Sequence, residues 1–241
     1  MIINCRNNPF QASIEASSEA KLFAYIEKWL KRHSSGRYAA IAGSYALHAL
    51  MCSSGQSEYT NQHRFVPNNI DIYVNAPMMM LFMMVANFAW RHSEYALANF
   101  QFTDSYDSNA STAIHGILEF YLVSFDKSTK VQLICWNPSL TFSCAYELAH
   151  AVILGFDISV CRVALTSSKQ LSKFYFCNQE DAVDVYLHRF KIQMKPRETT
   201  TTVFRRILKY TDRGFHLYQF IFQDGVIAGC FTITETFDQQ E

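Results

Sequence analysis

Glycine and proline are scarce in this chain, 8 and 5 of 241 residues, and only 17% of the side chains are charged. Beside that scarcity, 49% of the residues are apolar and 15% aromatic, which excludes a chain that is mainly disordered and predicts a proper hydrophobic core. An excess of one charge is missing too. Twenty-one basic side chains meet 21 acidic ones, so the chain is not basic all over and leaves room only for a local basic face. The seven cysteines (Cys5, Cys52, Cys135, Cys144, Cys161, Cys177, Cys230) contain no Cys-x-x-Cys. Their odd number and wide scatter argue against a disulfide framework or a zinc ribbon, and for reduced thiols in a cytoplasmic setting. Long apolar runs are absent as well: the longest, Met78 to Ala86, has nine residues, against about 20 for a membrane span. The first 20 residues lack the apolar stretch of a secretory signal. The eight histidines never fall at His-x-x-x-His spacing, and Gly-x-Ser-x-Gly is absent, so neither a zinc site nor a serine hydrolase is expected.

What is present reads as an alternation of elements. Residues 18–33 carry Leu22, Phe23, Ile26, Trp29 and Leu30 at three- and four-residue spacing, an amphipathic helix. A short apolar strand at 38–42 runs into Gly43-Ser44 and a second helix over 45–51, followed by a polar loop to Pro67. Ile70-Asp71-Ile72-Tyr73-Val74 is β-branched and aromatic, hence a strand, and Pro77 suits the first turn of a methionine-rich helix. Strands are predicted at 117–123 and 130–135, joined by a hairpin over 125–129. A helix over 140–154 follows, closed by Gly155, and then a strand over 156–165. The fold class predicted is α+β, a mixed sheet with flanking helices. Residues 1–176 form the core with its N-terminal helix, and 177–241 form a helical, basic C-terminal segment with helices over 178–189 and 201–210.

The informative motif is strand, Gly43-Ser44, helix, followed about 25 residues later by Asn69-Ile70-Asp71 on a second strand. A glycine at such a turn lets a phosphate approach the backbone, a serine beside it donates a hydroxyl, and the new helix offers free N–H groups. A carboxylate on the next strand would hold the Mg²⁺ that neutralises a triphosphate. Together with Lys130-Val131-Gln132-Leu133-Ile134, Phe156-Asp157-Ile158-Ser159-Val160-Cys161-Arg162 and the run from Arg206 to Phe215, this pattern resembles the nucleotidyltransferase (polymerase-β-like) superfamily, in particular its compact large-DNA-virus and phage versions. The resemblance implies a nucleotide cradle at Gly43, Ser44 and Asn69 and a catalytic, metal-holding Asp71. Such families place acid-hydrophobic-acid on the second strand and a third acid on a later one. Here Asn69 and Gln132 stand at those places. An amide oxygen brings no charge to a metal, so the carboxylate set is incomplete unless Glu119 or Asp157 completes it.

A second signal is charge. Between Arg189 and Arg213 lie eight basic side chains and two acids, Glu198 and Asp212. On a predicted helix, Arg205, Arg206, Lys209 and Arg213 recur at three- and four-residue spacing, and same-sign charge on one face is relieved by a polyanion. Lys191, Lys195, Arg197, Arg205, Arg206, Lys209 and Arg213 are therefore the candidate RNA-contacting residues, the preference for RNA coming from the resemblance. The expected function is non-catalytic binding of RNA or a ribonucleoprotein such as the ribosome in a host cytoplasm, with no cofactor. The alternative is an active transferase that moves a nucleoside monophosphate to RNA, protein or a small acceptor, with Mg²⁺ and an NTP. A protein partner at the methionine-rich helix is a third reading.

Overall fold

Leu22, Phe23, Ile26, Trp29 and Leu30 form the buried stripe of helix α1 (Ser18–His33) in the computed structural model of the chain. The structure describes residues 2–4, 18–63, 65–103, 113–125, 127–168, 171–194, 200–222 and 227–228. Eight strands make the main sheet: β1 (Ile2–Asn4), β2 (Ala39–Ala42), β3 (Ile70–Val74), β4 (Ala96–Thr103), β5 (Ile114–Val123), β6 (Ser128–Trp136), β7 (Val163–Ser168) and β8 (Leu171–Phe176). Their order is β1-β8-β7-β2-β3-β6-β5-β4. β3 and β6 run parallel, and the other neighbours are antiparallel.

Side-chain alternation along the strands gives the sheet two apolar faces. Ile41, Ile70, Ile72 and Val74 pack with α1, with α2 (Ser44–Ser53) and with α4 (Met78–Arg91). Ala40, Ala42, Tyr73 and Ile134 pack instead with Leu148, Ala149, Val152 and Ile153 of α5 (Ala145–Leu154). A short helix α3 (Ser57–Gln62) lies in the predicted polar loop. The mixed sheet with flanking helices is the α+β architecture expected from the sequence. Among the described residues no helix is long and apolar enough to cross a membrane. Cys52, Cys135, Cys144, Cys161 and Cys177 are free thiols.

The chain after 177 holds the two expected helices, α6 (Gln179–Tyr186) and α7 (Thr200–Thr211), and adds three strands: β9 (Arg189–Met194), β10 (His216–Phe222) and β11 (Ile227–Ala228). β9 and β10 pair in parallel, and β11 closes on β10. Phe190, Ile192, Val203, Tyr210, Phe215 and Leu217 enter the same core as α1 and α2. The stretch read as a charged connection thus carries a period-2 pattern, with Phe190 and Ile192 inward, that its lysine and arginine content obscured.

Further boundaries differ for local reasons. β4 and β8 were not expected, because Ala-Leu-Ala-Asn and Leu-Ser-Lys carry little β-branched signal. The predicted strand over 156–165 opens as a single bridge between Ile158 and Ile192 and a 3₁₀ turn, Ser159–Cys161, before β7 begins. Pro77 is the residue that caps α4, one position before the predicted place.

Candidate functional site

The predicted cradle forms at the junction of β2 and α2. Gly43 adopts φ +78°, a left-handed conformation that favours glycine, and its N–H donates to the Val163 carbonyl at 3.2 Å. Ser44 opens α2 and is buried. The Phe156 ring lies over this turn: a Cβ placed on Gly43 would meet it at 3.7 Å. The same ring meets Tyr73 edge-on at 6.0 Å. An aromatic side chain, which the sequence reading did not anticipate, therefore packs against the backbone that a phosphate would approach.

Asp71 lies on β3 with its side chain on the α5 side of the sheet, since Ile70 and Ile72 point the other way. The strand register aligns Asp71 with Gln132 of β6, and Gln132 with Glu119 of β5. Amides link these acids. Asn69 Nδ2 donates to Asp71 Oδ1 at 2.5 Å and to Gln132 Oε1 at 2.9 Å. Gln132 Nε2 donates to Glu119 Oε2 at 2.6 Å, and Lys130 Nζ pairs with Glu119 Oε1 at 2.8 Å.

The charges follow from that geometry. Burial pushes the Asp71 carboxyl up to about 6, against the pull of Lys209 and Lys130 and with a further push from Glu119. Burial also opposes ionisation of Glu119, but Lys130 and Gln132 outweigh it and hold its pKa below the usual range. Lys130 is raised in turn, chiefly by its hydrogen bond to Glu119. Lys209 of α7 is exposed as a residue, yet desolvation of its ammonium and the nearby Arg213 keep its pKa low. Asp71 and Glu119 are thus faced by Lys130 and Lys209.

Mg²⁺ needs converging, uncompensated oxygen ligands. At Asp71 the nearest polar neighbour is an amide N–H donor, and Glu119 stands beyond Gln132 with its charge met by Lys130. Asp157, the other acid considered, is bound by the Arg206 guanidinium, and its carbonyl accepts from Gln193 N–H at 2.7 Å. Among the described residues no group of three or more His, Cys, Asp or Glu side chains could hold a metal. The donor set does not fit the divalent ion that the resemblance implies, and no chemical step is derived through one.

The seven predicted RNA-contacting residues divide sharply. Lys191 is buried and paired with Glu180 at 2.7 Å. Arg213 is buried too, its guanidinium 4.6 Å from the Phe65 ring centre and 5.1 Å from that of Tyr210. Arg206 binds Asp157. These three cations serve the fold, which corrects the reading of one continuous basic face. Arg205 and Lys209 are exposed on α7, beside the exposed Phe204 and Leu208. Lys195 and Arg197 lie outside the described residues. Lys130 was missed as a site residue, although a lysine two positions from Gln132 on one strand face was a readable signal.

No protein-family model and no curated sequence matches the chain. Solved structures do match its fold. A CCA-adding enzyme in complex with CTP aligns with a TM-score of 0.52 and 11% identity, over 90% of this chain and 43% of that one. The Thermotoga maritima CCA-adding enzyme complexed with tRNA-CCA aligns with a TM-score of 0.51 and 10% identity, over the same shares of the two chains. The chain therefore spans less than half the length of these structures. The likeness to these CCA-adding enzymes is one of fold.

Proposed function

We propose that this protein is a non-catalytic nucleotidyltransferase-fold protein, of the compact viral and phage kind its sequence resembles, that binds RNA or a ribonucleoprotein. The observation that carries the first half is the amide bridge: Asn69 and Gln132 donate to Asp71 and Glu119 where the superfamily's metal would need free carboxylate oxygens. Lys130 and Lys209 supply the positive charge that a metal would otherwise bring.

RNA binding is supported by the exposed Arg205 and Lys209, one helical turn apart on α7 and flanked by the exposed Phe204 ring. Cations beside a ring offer a strand both phosphate contacts and a stacking surface. One protein with this fold is solved with tRNA bound, which agrees with a nucleic-acid partner. The experiment is fluorescence anisotropy of labelled RNA against salt. Affinity falls steeply between about 50 and 200 mM salt, and Arg205→Glu/Lys209→Glu weakens it and flattens the salt slope by about 1.4, two phosphate contacts on a single strand. RNA binding that ignores ionic strength, or no binding at all, refutes the proposal. In parallel, labelled NTPs with Mg²⁺ or Mn²⁺ give no incorporation; incorporation abolished by Asp71→Ala would establish the active transferase instead.

A further inference from the structure

On the sheet face opposite Asp71, where α1 and α4 pack side by side, lies a pocket of about 150 Å³. Lys28, Arg32, His33, Arg91 and His92 line it, together with Asn87 and the Tyr25 and Trp29 rings, and no acid does. Among the described residues, no ion pair engages Lys28, Arg32 or Arg91. Burial raises the Tyr25 pKa while Arg91 and Arg32 oppose the rise, so both guanidinium groups lie within electrostatic reach of the same hydroxyl. The Arg91 Nε donates to Asn87 Oδ1 at 3.1 Å, which orients its planar fork.

Both helices end here, and each carboxyl end carries about half a negative charge. Three lysine and arginine charges exceed that sum by about two, and Glu94, 3.4 Å from the lining His92, leaves a surplus of about one even before either imidazole is protonated. Trp90, next to Arg91 and three residues on from Asn87, is 82% exposed. A tryptophan left in water beside a cationic pocket is the arrangement that stacks bases along a bound strand.

We propose that this pocket is a second polynucleotide site: it seats a phosphate of a single strand among Lys28, Arg32 and Arg91, and the neighbouring base stacks on Trp90. Neither Arg205 nor Lys209 lines it. The contacts read phosphate and base, not the sugar, so single-stranded RNA and DNA bind alike.

The full chain is titrated with fluorescein-labelled oligo-U and oligo-dT, followed by anisotropy and by quenching of intrinsic tryptophan fluorescence. Both oligomers bind within about threefold of each other. Arg32→Glu/Arg91→Glu weakens both at least tenfold and lowers the salt slope by about 1.4. Trp90→Ala removes most of the quenching, since Trp136 is buried and Trp29, although it lines the pocket, is only 8% exposed and meets the phosphate rather than the stacked base. Inorganic phosphate alone competes only weakly, because it lacks the base. Unchanged affinity in the double variant, quenching that survives Trp90→Ala, or a preference above tenfold for one sugar overturns the proposal. Loss of binding in Arg205→Glu/Lys209→Glu with none in the pocket variants would sink this inference and leave the proposed function standing.

Discussion

Asp71→Asn is the perturbation that best separates a charge-balanced amide network from a metal site. In the folded chain the Asp71 carboxyl titrates near 6, against 3.8 for the free group. The native state thus binds its proton more tightly than the unfolded state does. A carboxyl raised in this way adds no penalty below about pH 4, and its full penalty is reached above about pH 6. A rise of about two units corresponds to about 3 kcal/mol at most. Allowing for solvent at a group that is not fully enclosed, about 2 kcal/mol is expected. Asparagine keeps an oxygen to accept from Asn69 Nδ2 and removes the charge. Urea unfolding at pH 8 should therefore find Asp71→Asn more stable by about 2 kcal/mol, or about 4–8 °C in Tm for a chain of this size. At pH 4 the variant and the parent should coincide. Destabilisation at pH 8, or a gain that persists unchanged at pH 4, refutes the reasoning. The same assay tests the metal: about 10 mM Mg²⁺ leaves the parent's Tm unchanged. A Mg²⁺-dependent rise lost in Asp71→Asn would identify Asp71 as a ligand through binding linkage.

Other consequences are local. Gly214→Ala should cost about 2–5 kcal/mol in urea unfolding, because φ is +87° and the new Cβ would sit 2.5 Å from Tyr59 Oη and 2.7 Å from the His63 ring. Gly43→Ala, with φ +78° and only an ordinary ring contact at 3.7 Å, should cost about 1–2 kcal/mol; equal losses at the two glycines would contradict the contact argument. Asn75→Ala should lose about 2–4 kcal/mol, since the buried Asn75 accepts from Tyr38 N–H at 2.6 Å and donates to the Gly36 and Leu140 carbonyls at 3.2 Å. Lys130→Met should raise the Glu119 pKa, read by NMR titration, because its chief stabilising partner is gone.

Local patterns in the sequence went far. The stripe of residues 18–33, the strand 70–74, the glycine between strand and helix at 43 and the hairpin leading into 130–135 each depend on neighbours a few positions away. Even the facing of Glu119 and Gln132 follows from where that hairpin turns, since two polar side chains in apolar strands stand opposite each other once the register is fixed. The missing acids at positions 69 and 132 were visible by inspection. How Asn69 and Gln132 bond to the remaining acids was not.

Charge was the part that spacing could not resolve. The sequence counts eight basic side chains between 189 and 213, but an ion pair depends on what lies across the fold. Asp157 meets Arg206 from 49 residues away, Glu180 meets Lys191, and Phe65 lies under Arg213 only because α7 and β9 pack onto the core. The cationic pocket between α1 and α4 joins residues more than fifty positions apart, and α4 brings only one cation of its own, Arg91. Element identity was thus set by short-range periodicity, written along the chain. Which charges are left facing water depends on long-range packing, and the tertiary structure alone decided it.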